Sequence, residues 1–396
     1  MFIQSEECAA TVRILHIVNI GFEAGGAEKC VRLLKDCQLA RGHEVRVIAV
    51  ETEADGHELF ADFLVPAVSG GPVRKFFGFL WHRAAYTGVK RVVEEFRPDV
   101  VHLHTIGGFG PAVFPATRGV ATVATVHGAE DWTLRLLRSK LVGPGERLGA
   151  VGLARYLHLR LVVRPAYRLG LRRLDGFVAP SRYIADTVRC DVGRVPIEVI
   201  PHAVERMFTP GPVSDLWHVL FVGRVEPVKG VDVLIAAFRI LLATHPRARL
   251  TIVGDGDARA GLEAAAADLV AAGVVGFRGW LSPDEVAESI RDAAVVAVPS
   301  TGPEIFGLVA LEAIQRGRPV IASRSGGLGE LVGPDNGLLV TPGDPDELAA
   351  ALASMLGDAV LLERLGNGST ARAAAFDLDR CLDAHEDLYR RVSSER

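Results

Sequence analysis

Cysteine is scarce in this sequence. Five occur in 396 residues, Cys8, Cys30, Cys37, Cys190 and Cys381, an odd number with no C-x-x-C pair. A disulfide framework or a cysteine-built zinc site is not expected, and a reducing compartment suits the pattern better. No run of about 18 uncharged apolar residues is present, so no membrane-spanning helix is expected. The opening MFIQSEECAATVRILHIV lacks a basic stretch ahead of an apolar one and does not read as a secretory signal. The chain is therefore read as cytoplasmic. Net charge is −4, without the basic excess of a nucleic-acid binder. The sequence has no H-x-x-x-H, no EF-hand loop, no G-x-x-x-x-G-K-[ST], no G-x-S-x-G and no G-x-G-x-x-G. Metal centres, P-loop chemistry, a hydrolase elbow and the dinucleotide fingerprint are set aside on that ground.

What is present is ordinary for a folded protein: 49% apolar and 23% charged residues, enough for two hydrophobic cores. Short β-branched runs alternate with longer amphipathic segments. Strands are expected at 12–18, 45–50, 100–103, 121–126, 176–179 and 197–200, then at 219–222, 249–253, 274–277, 294–298, 319–322 and 337–340. Continuous apolar strands separated by helices predict parallel sheets covered on both faces, hence two doubly wound α/β domains. The Pro- and Gly-rich stretch 208–212 suggests the boundary: a first domain over 1–207, a second over 208–376, and a C-terminal helix over 377–396. One segment departs from the average. Between Trp132 and Asp175, ten Arg or Lys face two acids, interleaved with leucines. Such a basic amphipathic stretch suits either a solvated helix with arginine stems on apolar surface or a contact with a membrane or an anionic acceptor.

In open α/β sheets, ligands bind beyond the carboxyl ends of strands. After the first strand comes Gly25-Gly26, where a backbone can approach a diphosphate at a helix start, although a plain β–α turn uses the same residues. After 219–222, Arg224 and Lys229 flank a proline turn, placed either to grip phosphates or simply as surface cations. After 294–298, Glu304 precedes a helix expected to start at Phe306 or Gly307, and Glu312 lies inside an apolar run of that helix. Two such carboxylates suit sugar hydroxyls, and a half-buried one requires a partner. His127 follows 121–126 at a strand end and ranks above His102, His104 and His202, for which structural roles are expected. Asp255-Gly256-Asp257 reads as a turn rather than a metal pair.

Taken in order, these pieces resemble family 4 of the retaining glycosyltransferases, with the GT-B fold of two Rossmann-like domains facing across a cleft. The resemblance runs along nearly the whole chain. It rests on Gly25-Gly26-Ala27-Glu28, PDVVHLH at 98–104, Thr125-Val126-His127-Gly128, Val178-Ala179-Pro180-Ser181, GRVEPVKG at 223–230, IVGDGD at 252–257, the Glu304-x7-Glu312 pair, GRPVIAS at 317–323 with Gly326-Gly327, and NGLLVTPGDPDELA. The Glu pair followed by G-x-P-V-I is the specific part. One departure is Pro201-His202-Ala203-Val204-Glu205, where the family often has Pro-Asn-Gly-Val-Asp.

The resemblance implies transfer of a sugar from a nucleoside diphosphate sugar to an acceptor hydroxyl with retained configuration, in glycan, glycolipid or secondary-metabolite biosynthesis. It implies diphosphate binding by Arg224, Lys229, Gly25, Gly26, Gly307 and Leu308. Glu304, Ile305, Phe306 and Gly307 would meet the donor sugar, Glu312 the ribose, and His127 the reacting carbon. No cofactor and no metal are implied, because fixed cations and helix ends stabilise the leaving group. The final helix would cross back onto the first domain. The acceptor is not named by any motif; the basic stretch 132–175 suggests a lipid-linked or anionic one and a peripheral membrane contact. A nucleotide-sugar epimerase and a non-catalytic nucleotide-sugar binder are the competing readings on the same fold.

Overall fold

A computed structural model of the chain describes residues 11–53, 56, 58–70, 81–127, 149–204, 213 and 215–395. The stretch 208–212 and residues 128–148, with the first part of the basic segment, lie outside the described residues. The chain divides into two compact units, one of Met1–Ile200 with Asp379–Arg396, the other of Pro201–Leu378.

The first unit is a seven-stranded parallel sheet. In chain order its strands are β1 (Arg13–Val18), β2 (Glu44–Val50), β3 (Phe63–Val65), β4 (Val100–Leu103), β5 (Ala121–Thr125), β6 (Gly176–Ala179) and β7 (Ile197–Val199). In space the order is β3-β2-β1-β4-β5-β6-β7. The chain winds one way from β1 to β3, then returns to β1's other side with β4. All the expected strands of this half form; the edge strand β3 was not expected. Three residues long, and with Leu64 exposed, it carries too short an apolar pattern to read. The helix Leu378–Ser394 closes one face of the sheet. Leu388, Tyr389 and Val392 pack with Ile14, Val45, Val100 and Val123, each at most 3% exposed. Arg41 ties the helix to the loop before β2 through Asp379, Asp383 and Glu386.

The second unit holds β8 (His218–Val222), β9 (Arg249–Val253), β10 (Val275–Gly279), β11 (Val295–Val298), β12 (Val320–Ser323) and β13 (Gly337–Val340), all parallel, in the order β10-β9-β8-β11-β12-β13. Side chains alternate across a strand, so each face needs its own cover. Val219 and Phe221 join a core with Leu234 and Phe238 of the helix Val231–Leu241; Leu220 and Val296 join another with Leu311 and Ile314 of the helix Leu308–Gln315. Helix starts are chemically marked. Ser282 forms a capping box with Glu285, and Asp344 and Asp358 accept backbone N–H bonds at two later starts. The alanine-rich run at 264–267 divides at Ala266 into the helices Arg259–Ala265 and Ala267–Ala271.

The first sheet carries an unusual interior. His16 on β1 and His102 on β4 are register partners, and His104 follows just beyond β4; all three are 0% exposed. Burial lowers His16 to about 4; its bond to Gln38 opposes the shift, and His385 and Lys35 add to it. Burial also lowers His102, His104 and His385, with the neighbouring histidines reinforcing the shifts in His102 and His104. Below pH 6.5 an unfolded chain takes up a proton at His16 that the folded chain refuses until about pH 4. Stability contributed there is complete above 6.5 and is lost as pH falls towards 4. His16 alone accounts for about 3 kcal/mol of that loss, and the other three act in the same direction. Urea unfolding of the first unit, followed from neutral pH into this window, should show the falling limb; a flat profile would contradict it.

Candidate active site

The second sheet reverses its winding between β8 and β11, which pair at Val295↔Val219 and Val296↔Leu220. The loops leaving these two strands are therefore neighbours. The loop after β8 runs through Arg224 into the single turn Pro227–Lys229, and that after β11 runs from Pro299 to Gly307. They are stitched together, since the N–H of Thr301 donates to the carbonyl of Val228 at 2.9 Å.

At this junction Lys229 Nζ donates to Glu304 Oε1 at 2.7 Å, with both side chains partly exposed. Ser300 Oγ donates to the same carboxylate oxygen. Glu304 is thereby fixed at the entrance to the helix Leu308–Gln315. Gly307 caps that helix in a left-handed conformation, and its first intrahelical bond runs from Leu311 N to Gly307 O at 3.0 Å. The amides of Leu308, Val309 and Ala310 precede it and form the positive end of the helix. The helix begins one residue beyond the later of the two expected starts. Phe306 is 3% exposed and sends its ring into the core, edge-on to Phe376 at 5.9 Å and to His202 at 5.4 Å. Only its backbone is therefore placed to meet a ligand, while Ile305 is half-buried. Glu312, the fifth helical residue, is 8% exposed and interacts with the buried Arg316 one turn on. Arg224 lies apart from the Lys229–Glu304 pair. It is largely exposed and held by Glu226 at 2.6 Å.

Two close backbone approaches support this arrangement. A side chain on Gly326 would put Cβ 1.9 Å from the Glu304 carbonyl, the same carbonyl that accepts Gly327 N at 2.8 Å. Gly326 also has φ +59, so glycine is required on both counts. A Cβ on Gly254, at φ +126, would meet the Gly223 carbonyl at 2.0 Å, and Asp255 O accepts from Val225 N at 2.9 Å. The Asp255-Gly256 turn is thus a brace for the Arg224 loop, with Asp255 paired to Arg259. Ser300 and Glu226 are site-facing residues that sequence reasoning did not single out. Both are ordinary loop residues in the sequence: Ser300 lies four residues before Glu304 in the same loop, and Glu226 two residues after Arg224.

In the first unit the same reversal lies between β1 and β4. Asn19 N donates to Thr105 Oγ1 at 3.0 Å and Gly108 N to Asn19 Oδ1 at 2.7 Å, joining the two loops. Gly25 and Gly26 are exposed at the start of the helix Gly26–Ala40, with Gly25 extended as its cap. Glu28, in the first turn, is buried, and desolvation raises its carboxyl above the usual range. His127, two residues beyond β5, is half-buried, with a ring nitrogen within 4.8 Å of Cys30 Sγ on the helix Gly26–Ala40. Its Nε2 lies 2.8 Å from His104 Nδ1. His104, expected to be structural, is thus bonded directly to the candidate residue; the sequence signal was the spacing H-x-H in PDVVHLH.

The basic segment is helical over Ala150–His158 and Arg164–Leu171, with one π turn between them. Part of its charge is used internally. Arg164 and Arg168 both reach Asp191, whose side chain is 2% exposed. Leu153, Leu157, Leu161 and Leu169 are exposed. Among the described residues no helix is long and apolar enough to cross a membrane.

A profile described as Glycosyltransferase Family 4 matches residues 24–206, and one described as Glycosyl transferases group 1 matches residues 205–372. The chain is 32% identical to a D-inositol 3-phosphate glycosyltransferase of Acidothermus cellulolyticus over 94% of its own length and 87% of that protein's. A protein of the same description from Frankia alni is 33% identical over 89% of this chain and 91% of its own. Among solved structures, the sucrose-phosphate synthase of Thermosynechococcus elongatus superposes with a TM-score of 0.76 at 22% identity, covering 97% of this chain and 99% of that one. Anabaena HepE in complex with UDP-glucose superposes with a TM-score of 0.71 at 23% identity, covering 97% and 100%. The structural likenesses bear on the fold, which is GT-B, with two Rossmann-like parallel-sheet domains. The matched profiles and the full-length relatives give the family: the chain belongs to the glycosyltransferases of family 4, among the group 1 glycosyl transferases.

Proposed function

We propose that this glycosyltransferase takes a sugar from a nucleoside diphosphate sugar and passes it, with retained anomeric configuration and without a divalent metal, to an acceptor hydroxyl. The observation that carries the reading is the Lys229–Glu304 pair set at the positive end of the helix Leu308–Gln315. A cation and a row of amides suit the diphosphate, and the carboxylate beside them suits the hydroxyls of the sugar attached to it. Glu312 holds the ribose, and Arg224 turns from Glu226 to the phosphates when the donor binds. Gly25 and Gly26, at the start of the helix Gly26–Ala40, offer backbone N–H groups suited to an anionic group. Binding of UDP and of UDP-glucose by HepE supports a nucleotide-sugar donor for this chain too.

Retention follows from a front-face substitution. The bond from the anomeric carbon to the phosphate oxygen breaks, and the acceptor oxygen bonds to that carbon on the same face. The acceptor proton passes to the departing phosphate oxygen. Lys229 and the helix amides stabilise the charge that develops there, the task a divalent cation performs in other enzymes. His127 stands beside the reacting carbon and stabilises its positive charge. Because the full-length relatives bear the name D-inositol 3-phosphate glycosyltransferase, a phosphorylated polyol is the first acceptor to assay.

Glu304→Ala should lower transfer by more than about a hundredfold, since hydroxyls bonded to a charged group are worth roughly 1.5–3 kcal/mol each. Lys229→Ala should weaken nucleoside diphosphate binding by about ten- to a hundredfold on the same scale. Thermal unfolding with UDP, GDP, ADP and dTDP, each with magnesium and with chelator, reads the binding directly. One nucleotide should raise the midpoint equally in both conditions. Full activity of Glu304→Ala would dismiss the assignment, and product with inverted configuration would dismiss the mechanism.

The exposed leucines favour one addition. Leu153, Leu157 and Leu161 recur every four residues and share one side of their helical segment. With the exposed Arg160 beside Leu157 and Leu161 they suit the surface of an anionic membrane, where a lipid-linked acceptor would be met. The protein should sediment with phosphatidylglycerol vesicles at low salt and be released by high salt, and Leu157→Glu with Leu161→Glu should abolish sedimentation. No binding at low salt would end this part of the reading.

A further inference from the structure

The histidines behind His127 form one continuous chain of hydrogen bonds. Gln38, 0% exposed on the inner face of the helix Gly26–Ala40, places Oε1 at 2.8 Å from His16 Nε2. His16 Nδ1 lies 2.8 Å from His104 Nε2, and His104 Nδ1 lies 2.8 Å from His127 Nε2. A second arm leaves the same amide. Gln38 Nε2 donates to Tyr389 Oη at 3.5 Å, Tyr389 Oη is 2.6 Å from His102 Nδ1, and His102 Nε2 is 2.7 Å from Thr125 Oγ1.

The proton positions follow by elimination. An amide oxygen only accepts, so His16 must carry its hydrogen on Nε2. Burial keeps His16 neutral, so its Nδ1 is bare and accepts from His104 Nε2–H. His104 is neutral for the same reason, and its Nδ1 accepts from His127 Nε2–H. The second arm closes without conflict. Burial keeps the Tyr389 phenol protonated, so it accepts from the Gln38 amide and donates to His102 Nδ1, and His102 donates Nε2–H to Thr125. Turning the amide over would reverse every bond in both arms.

We infer that Gln38 is a positioning residue which, through His16 and His104, holds the imidazole of His127 as the Nε2–H tautomer with that hydrogen directed inward. In that neutral tautomer the lone pair lies on the ring's other nitrogen, Nδ1. On the reading proposed above, His127 serves the donor sugar as a ring of fixed orientation and dipole. The cluster of His16, His102 and His104 is also close enough to hold a cation. All six of its ring nitrogens are already engaged in these bonds, which argues for the proton chain instead.

The test is nitrogen-15 NMR on histidine-labelled full-length protein at neutral pH, with His127 and His104 assigned from His127→Gln and His104→Gln samples. Long-range proton–nitrogen couplings distinguish the two neutral tautomers without any activity assay. In the unsubstituted protein His16, His104 and His127 should all appear as Nε2–H. Gln38→Leu keeps the volume but removes the acceptor facing His16 and should give a mixture of His127 tautomers. In turnover, Gln38→Leu should lose about tenfold in kcat with the donor KM unchanged, the scale on which groups behind functional histidines act. His127 found as Nδ1–H in the unsubstituted protein would overturn the inference, as would an unchanged His127 in folded Gln38→Leu. Displacement of the three histidine signals by stoichiometric zinc would overturn it in favour of a metal site. The tautomers are read whether or not transfer is detected, so failure of the functional reading and failure of this one give different results.

Discussion

Both units depend on a single constraint, the way parallel strands hydrogen-bond. Parallel neighbours cannot be joined by a hairpin, so each connection crosses a face of the sheet and every strand ends at the same edge. Where the winding reverses direction, the loops leaving two adjacent strands turn to opposite faces of the sheet, and the crevice for a ligand lies between them. In the second unit that place is the β8–β11 pair, and Lys229 and Glu304 leave its two strands. In the first it is the β1–β4 pair, with Asn19 and Thr105 joining the loops. Neither pair of residues is close in the chain, and each is brought together by strand order alone.

Having opened a gap, the fold must keep its loops from collapsing into it. Here backbone-to-backbone packing does most of the holding. The carbonyl of Glu304 is covered by Gly326 and Gly327, and that of Gly223 by Gly254, at distances that exclude a Cβ. Side chains with rotameric freedom would hold the loops less firmly, at a larger entropic cost. The Glu304 carboxylate is then left with few degrees of freedom, and Ser300 and Lys229 use them up. A site ordered before its ligand arrives loses less on binding.

Of the thirteen strands among the described residues, twelve were legible because period and length agree in buried parallel strands: short apolar runs bounded by loop residues. β3 was not, since its partner β2 supplies its only ladder and its side chains are half in solvent. Among candidate site residues, Lys229, Glu304 and Glu312 stood out because a charge next to an apolar strand or inside an apolar helix is costly without a purpose. Ser300 and Glu226 lacked that contrast with their surroundings. For Arg164 and Arg168 the charge count was right, but its meaning changed once Asp191 was found between them, 27 and 23 positions away in the chain. Composition reports how much charge a segment carries and says nothing about where it is neutralised.

The histidines show why buried polar groups resist reading from sequence. A strand such as RILHIV or VVHL scores as core with one misfit, and each misfit alone reads as a structural histidine. Their cost falls only when they are counted together. An imidazole in an apolar layer must satisfy one donor and one acceptor, and a ring that does both can be followed by another identical ring. A chain of neutral imidazoles is therefore self-consistent at any length, provided each end is terminated by a group of fixed polarity. At one end stands Gln38, whose amide offers an acceptor and a donor back to back; at the other the chain reaches His127 at the carboxyl edge of the sheet. Within this layer a carboxylate in place of the amide would add a charge for the histidines to neutralise. The amide orders the protons without one, and so couples the core of the sheet to His127 at its carboxyl edge.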